Sequence, residues 1–201
     1  MKTLQFQSKE DWLAFRKGKI SGTRLKDIIV KRGTGKKKGY YELIAERLAV
    51  APTEEDVMER GNRLQAEATE RFAKETEKPV DGGLVMWIRE DNESIAISPD
   101  GVISPTEALE IKCLSSASHL EAYLTQEVPT EYKEQIIQYF IVNDTLTTLY
   151  MCFYDPRVPC KDFFYLTIMR ESVQKEVAEY LEYQKVVLRE IDEIVLKLSG
   201  F

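Results

Sequence analysis

Residues 94–113 read SIAISPDGVISPTEALEIKC, and they contain two segments rich in β-forming side chains, 94–97 and 108–112. We predict that these segments are neighbouring strands joined by a turn. Because side chains alternate between the two faces of a strand, Glu110 and Lys112 point to the same side of the second strand. The intervening turn brings Asp100 alongside them. The stretch therefore predicts two carboxylates and one ammonium on a common face.

These three side chains are candidates for metal-dependent catalysis. Two charges on one face of a buried strand are costly unless something binds them, and Mg²⁺ prefers carboxylate oxygens. We expect Mg²⁺, or Mn²⁺ in its place, to bind Asp100 and Glu110, while Lys112 orients a water or steadies negative charge. Glu-X-Lys alone is a weak signal, which the Pro-Asp ten residues upstream strengthens. The alternative is a surface strand with a Glu–Lys pair.

The rest of the chain predicts helices that enclose a central sheet, a mixed α/β fold in a single domain of residues 1–201. Further strands are expected at 84–88, 146–154 and 163–169. Helices are expected around Trp12 to Phe15, from Ser21 or Thr23 to Gly33, from Pro52 to about Lys74, after Thr130, and from Val173 to Leu198. The run from Gly33 to Gly39, rich in glycine and lysine, predicts a mobile loop.

The net charge of −6 is unevenly distributed along the chain. Residues 1–40 hold 12 Lys and Arg against 3 Asp and Glu, whereas the remainder holds 16 against 31. The basic N-terminal part can therefore bind phosphate groups although the whole chain is acidic. The alternative for this part is an ordinary solvated surface.

Cysteine, histidine and hydropathy patterns exclude several classes of site. The three cysteines form no CxxC pair, and His119 has no Cys or His companion nearby, so we expect reduced thiols rather than disulfides or a zinc site. No apolar run approaches the roughly 20 residues that a membrane helix requires. The N-terminus is charged from Lys2 onward, unlike a secretory signal. These features predict a cytoplasmic protein.

Four short motifs give the chain a resemblance to a known family. In order, they lie at residues 12–23, Ser98-Pro99-Asp100-Gly101, Glu110-Ile111-Lys112-Cys113 and Tyr154-Asp155-Pro156-Arg157. In these motifs the chain resembles the lambda exonuclease and YqaJ group of phage-type recombination exonucleases, which belong to the PD-(D/E)XK superfamily. The resemblance implies a restriction-endonuclease-like core, in which helices flank a mixed central β-sheet.

The activity implied by the resemblance is Mg²⁺-dependent degradation of the 5′-ended strand from double-stranded DNA ends. It leaves 3′ single-stranded overhangs for homologous recombination by single-strand annealing, together with an annealing protein. A ring-shaped homo-oligomer is implied, with a trimer favoured, in the cytoplasm of a bacterial host and of phage or prophage origin. In a ring threaded by DNA, basic segments should line the channel and acidic surfaces should face outward.

The resemblance also implies a role for individual residues, position by position. The implied catalytic residues are Asp100, Glu110, Lys112 and Gln135, and the implied metal-binding residues are Asp100, Glu110, Ile111 and Gln65. The implied 5′-phosphate pocket contains Arg16, Thr23 and Ser98, and the implied DNA contacts are Tyr132, Lys36 and Lys37. The family pattern has Ser where this chain has Thr23, so the hydroxyl is kept. An arginine fork with hydroxyl donors suits a phosphate monoester.

The chain departs from the family where a Gly-x-x-x-Glu pattern on the first long helix becomes Gly61 to Gln65. Gln65 shares the inward helix face with Ala68 and Phe72, whereas Glu67 lies about 200° away from it round the helix. An amide oxygen can bind Mg²⁺, but it adds no charge. The departure is a native variation, an inactivating substitution, or the mark of a DNA-binding protein that has lost activity. The retained Asp100-Glu110-Lys112 set favours an active enzyme.

Two other functions stay open at this level. One is a non-catalytic DNA-end-binding or recombination scaffold that keeps the nuclease fold, which Gln65 favours. The other is a different nuclease of the superfamily, such as a structure-specific endonuclease.

Overall fold

The computed structural model describes residues 1–30, 37, 39–40, 43, 59–114 and 116–200, and its strands form two sheets. The strands are β1 (Lys2–Gln5), β2 (Val85–Ile88), β3 (Ala96–Ile97), β4 (Gly101–Ser104), β5 (Glu107–Lys112), β6 (Thr148–Tyr154) and β7 (Phe163–Met169). One sheet has the order β1-β2-β3, and the other has the order β4-β5-β6-β7.

Helices cover both sheets. They are α1 (Lys9–Arg16), α2 (Gly22–Ile28), α3 (Glu59–Thr76), α4 (Ser116–Thr125), α5 (Lys133–Val142) and α6 (Gln174–Ser199), with 3₁₀ turns at Thr130–Tyr132 and Arg170–Val173. In the described part of the chain, no helix is both long enough and apolar enough to cross a bilayer.

Strand β5 lies inside the four-stranded sheet. It pairs antiparallel with β4, where Gly101 faces Leu109, and parallel with β6, where Glu110 faces Met151. Its residues from Ala108 to Ile111 are buried, as expected of a strand paired on both sides and covered by helices. The strand therefore carries Glu110 into the interior.

Helix α5 packs in the core between α2 and α6, and its residues from Glu134 to Val142 are all buried. The Gln138 amide donates to the carbonyls of Ile20 and Ala96, at 2.9 and 3.3 Å. Gln184 on α6 donates to the Gln138 oxygen at 2.8 Å. A buried amide needs such partners, and this one ties α5 to the segment just before α2.

The C-terminal end of α5 is fixed by a distant side chain. Helix ends leave carbonyl groups without helical partners. The Arg170 guanidinium donates to the carbonyls of Phe140, Asn143 and Leu146, at 2.8, 2.5 and 2.7 Å. These bonds hold the helix in place against the turn that leads into β6.

The fold class predicted from the sequence is confirmed, and most predicted elements are present. Strand β7 has the predicted bounds, β2, β5 and β6 lie within a residue or two of theirs, and the last helix spans Gln174–Ser199. Helix α3 ends at Thr76, two residues beyond the prediction, and α2 ends at Ile28 rather than near Gly33. The expected helix start at Pro52 and most of the expected loop from Gly33 to Gly39 lie outside the described residues.

The predicted pairing of segments 94–97 and 108–112 is wrong. The first segment contributes β3 to the sheet of β1 and β2, whereas β5 pairs with β4. Strand β4 was not predicted, because it has only four residues, of which Val102 and Ile103 alone are β formers, and it lies between the turn residues at Pro99 and Pro105. Asp100 directly precedes β4, so it still lies beside β5. Strand β1 and helix α4 were not predicted either.

Gly101 should tolerate no side chain, because a Cβ there would lie 2.5 Å from Val80 Cγ1 and 3.3 Å from Leu109 Cβ. We expect Gly101→Ala to lower the free energy of unfolding by about 1–3 kcal/mol, the usual cost of overpacking. At Gly82 a Cβ would meet its nearest neighbours at 3.9 and 4.0 Å, so Gly82→Ala is the matched control. Urea unfolding of both variants tests this, and equal stabilities would contradict the packing at Gly101.

Candidate active site

A cavity of about 550 Å³ opens where α1, α3 and the loop before α5 meet the strand ends. Asp100, Glu110, Lys112, Gln65, Gln135 and Tyr132 line one part of it, and Arg16, Thr23 and Ser98 also line it. The cavity therefore contains both sets of residues that the sequence assigned to metal-dependent catalysis and to phosphate binding.

Glu110 and Lys112 form a buried ion pair. Glu110 is 3% exposed, and the Lys112 ammonium donates to Glu110 Oε1 at 2.6 Å. The burial contradicts the alternative of a surface Glu–Lys pair. Lys112 also donates to Gln135 Oε1 at 2.8 Å and lies 4.6 Å from the centre of the Tyr132 ring. Burial alone lowers the pKa of Lys112, but Glu110 outweighs this effect, so the pKa is raised and the ammonium stays charged.

Asp100 lies beside this pair and is held by two donors. Its Oδ2 accepts from the Ile111 amide at 2.7 Å, and its Oδ1 accepts from the Gln65 amide nitrogen at 2.6 Å. Burial, followed by the charge of Glu110, raises the pKa of Asp100 to about 8. Two neighbouring carboxylates in a buried site resist carrying both charges unless a cation compensates them.

Two further donors from α5 reach Glu110. Gln135 Nε2 donates to Oε1, and the Tyr139 hydroxyl donates to Oε2. Tyr132, Gln135 and Tyr139 are spaced three and four residues apart, a spacing that places side chains on one helix face, and all three lie toward the Glu110–Lys112 pair. Burial, followed by the charge of Glu110, holds the pKa of Tyr139 well above its usual value, so the group is a neutral phenol.

The other part of the cavity is built around Trp12 and Arg16. The Arg16 guanidinium lies 4.4 Å from the centre of the Trp12 ring, and it donates to Ser21 Oγ at 3.4 Å. Trp12 Nε1 donates to Ser98 Oγ at 2.9 Å, which leaves the Ser98 hydroxyl proton to donate to a ligand. Burial lowers the pKa of Arg16, although a guanidinium remains charged, so an anion here would be favoured.

Sequence reasoning missed the contacts of Trp12 and Ser21. Ser21 is the residue before α2, as predicted, but its hydroxyl makes no cap bond within α2 and instead accepts from Arg16. Both residues lie in the 12–23 motif, yet only the folded chain brings Trp12 against Ser98, 86 residues away.

Of the two lysines assigned to DNA contacts, only Lys37 is described by the structure, and it is not brought to the cavity. Lys37 is exposed, donates to the carbonyl of Lys26 at 2.8 Å, and does not line the cavity. Lys36 lies outside the described residues. Ile111 lines the cavity through its strand position, while its side chain packs in the small cluster with Ala68 and Phe163.

The sequence model of the YqaJ-like viral recombinase domain matches residues 11–148, more than half of the chain. The chain belongs to this family. The matched residues include the part of the cavity around Trp12 and Arg16, the two buried carboxylates and helix α5. Comparison with curated protein sequences gave no match.

Solved structures of exonucleases are similar to this YqaJ-family chain over nearly its whole length. The alkaline exonuclease LHK-Exo from Laribacter hongkongensis has a TM-score of 0.80 at 25% identity, with 95% of this chain and 96% of that chain covered. LHK-Exo in complex with dAMP has a TM-score of 0.78 at 25% identity, with 95% of this chain and 98% of that chain covered. A phage related exonuclease from Haemophilus somnus 129PT shares the fold, with a TM-score of 0.60 at 15% identity. The similarity covers 88% of this chain and 96% of that chain. Together with the family, these structures support a phage-type exonuclease.

Nucleases of this kind generally use divalent metal ions, and the carboxylate pair fits one. Burial, followed by the charge of Glu110, raises the pKa of Asp100, and a divalent cation beside the two carboxyl groups would offset both effects. The structure, as far as it is described, contains no cluster of three or more His, Cys, Asp or Glu side chains suited to a metal. The side chains that could hold such an ion are Asp100, Glu110 and the neutral Gln65, whose amide can present its oxygen after a simple flip.

The position of Gln65 on the inward face of α3 agrees with the sequence prediction. Ala68 and Phe72 on the same face are fully buried, whereas Glu67 is exposed and accepts from the Tyr154 hydroxyl at 3.0 Å. Glu67 therefore does not replace the family's glutamate.

We expect Gln65→Glu to tighten the binding of Mg²⁺ or Mn²⁺ by about tenfold, or ~1.4 kcal/mol, because a third carboxylate joins the donor set. Isothermal titration calorimetry measures the change. Ala66→Glu is the matched control, because it adds the same charge one residue along at an exposed position. An unchanged or weaker affinity in Gln65→Glu would show that this position does not contact the metal.

Proposed function

We propose that this YqaJ-family protein is a Mg²⁺-dependent exonuclease that degrades the 5′-ended strand from double-stranded DNA ends. The products are 3′ single-stranded overhangs for phage-type recombination by single-strand annealing. Mn²⁺ is expected to replace Mg²⁺. The catalytic residues in this proposal are Asp100, Glu110, Lys112 and Gln135.

One observation carries the proposal: a single cavity is lined by the buried carboxylates with their lysine and by an arginine with hydroxyl groups. A guanidinium fork beside two hydroxyls binds a phosphate monoester well, because it offers several donors to its oxygens. Duplex DNA has such a monoester at a strand end. A terminal 5′-phosphate held by Arg16, Thr23 and Ser98 would leave the following phosphodiester to reach the carboxylates, which supports 5′-to-3′ polarity.

The chemistry proposed for the catalytic residues follows from their contacts. Asp100, Glu110, Gln65 and the Ile111 carbonyl would hold the cation, which supplies polarisation of the phosphate and a lower pKa for a bound water. Lys112 is kept protonated by Glu110, so its ammonium can orient the attacking water or stabilise negative charge on the phosphate. Gln135 accepts from Lys112 and donates to Glu110, which fixes the direction of both side chains.

Substrate contacts and partners complete the proposal. Tyr132 lies under Lys112 at the cavity wall and is proposed to contact DNA, as are Lys36 and Lys37 in the basic N-terminal part. A ring-shaped trimer would turn this basic part toward the DNA and the acidic remainder outward, which reconciles a net charge of −6 with a polyanionic substrate. The partner in recombination would be an annealing protein in the cytoplasm of a bacterial host.

Arg16→Lys keeps the charge but loses the fork, so we expect the preference for 5′-phosphorylated over 5′-hydroxyl linear duplex to fall about 10- to 100-fold. Initial rates on end-labelled duplex measure this in Mg²⁺ and in EDTA. Arg71→Lys, on the outer face of α3 in an ion pair with Glu75, is the matched control. Cleavage that is absent, or that persists in EDTA, would overturn the proposal, and cleavage of circular duplex would indicate an endonuclease.

A second candidate function is a DNA-end-binding protein with weak or no catalysis, which Gln65 in place of a carboxylate favours. Calorimetric titration of the native protein with Mg²⁺ separates the two functions. Tight binding to duplex ends without metal binding or cleavage would favour the second candidate.

A further inference from the structure

Tyr139 contacts the buried Glu110 from within the core. It is fully buried, and it is not among the residues that line the cavity. Its hydroxyl lies within hydrogen-bonding distance of two acceptors, Glu110 Oε2 and the Ser98 carbonyl, the latter at 3.5 Å. A phenol has one proton, and the Glu110 oxygen is both closer and charged, so the proton is donated to Glu110.

The two oxygens of Glu110 have different partners. Lys112 and Gln135 donate to Oε1 from residues that line the cavity. Tyr139 donates to Oε2 from the core. Both oxygens of the carboxylate therefore have donors, and these donors together set its plane.

The Tyr139 hydroxyl is itself held in place. The ring packs edge-on against Trp87, with the ring centres 6.2 Å apart and the planes at 86°. Trp87 is 1% exposed and lies on β2, so the ring is held between α5 and the three-stranded sheet. A buried ring with such contacts has one available position, and the position of the hydroxyl follows from it.

We propose that Tyr139 is a positioning residue for the nuclease reaction, because its hydroxyl fixes the rotation of the Glu110 carboxylate that faces the metal ion and Lys112. The inference rests on the proposed function. The last torsion of a glutamate side chain is intrinsically broad, so the carboxylate turns more freely once a donor is lost. Both the cation and Lys112 would then meet a carboxylate whose Oε1 alone has donors, although DNA binding at Arg16 and Ser98 would be unaffected.

Tyr139→Phe tests the inference, because it removes the hydroxyl and keeps the ring against Trp87. We expect kcat to fall about 10- to 100-fold and half-saturation by Mn²⁺ to rise about tenfold, the usual range for groups that orient metal ligands. KM for duplex DNA and the preference for a 5′-phosphate should not change. A loss of fold stability alone would not separate kcat from KM in this way.

Tyr150→Phe is the matched control. The Tyr150 hydroxyl also donates to a carboxylate on β5, Glu107 at 2.9 Å, but Glu107 does not line the cavity. Equal kcat and Mn²⁺ affinity in the two variants would overturn the inference. Mn²⁺ binding is also measured by calorimetry without DNA. If the wild-type protein binds metal but does not cleave DNA, the Mn²⁺ affinities of the two variants still decide the role of Tyr139. That failure of cleavage would overturn the proposed function instead.

Discussion

Two carboxylates, Asp100 and Glu110, lie next to each other in the interior of this fold, and the ammonium of Lys112 compensates only part of their charge. Such a pair is costly to bury, so each oxygen has a donor. The donors come from α3, α5 and the backbone of β5, which means that these elements must meet at one place. The architecture around the cavity therefore provides a donor for each carboxyl oxygen. Two carboxyl groups beside a single ammonium make the place suitable for a divalent cation.

The same arrangement links the cavity to the core. Helix α5 carries Gln135 and Tyr139 to Glu110, and Gln138, about one turn along from Gln135, holds the segment that precedes α2. Arg16 and Ser21 belong to that neighbourhood, and Trp12 joins it to Ser98, two residues before Asp100. The part of the cavity at Arg16 and Ser98 and the part at the carboxylates are thus positioned by one connected set of contacts, as the proposed action on the end of a DNA strand would need.

The periodicity of strands and helices was enough to predict which of the candidate residues share a face, but not which distant segments pack around them. Alternation along a strand placed Glu110 and Lys112 on one face, and helical spacing placed Gln65 on the inward face of α3. The pairing of β5 with β4 instead of β3 was missed, because strand neighbours depend on contacts distant in sequence. The bonds from Trp12 to Ser98 and from Tyr139 to Glu110 were missed for the same reason, since no spacing in one sequence reports them.

The central claim is that Asp100 and Glu110 together bind a divalent cation. Anomalous diffraction from crystals soaked in Mn²⁺ tests it most directly, because the manganese signal locates the ion independently of any activity. The account predicts one strong peak within coordination distance of both carboxylates, about 2.0–2.5 Å from their oxygens. A map without a peak there, or with the ion held by other residues, would contradict it.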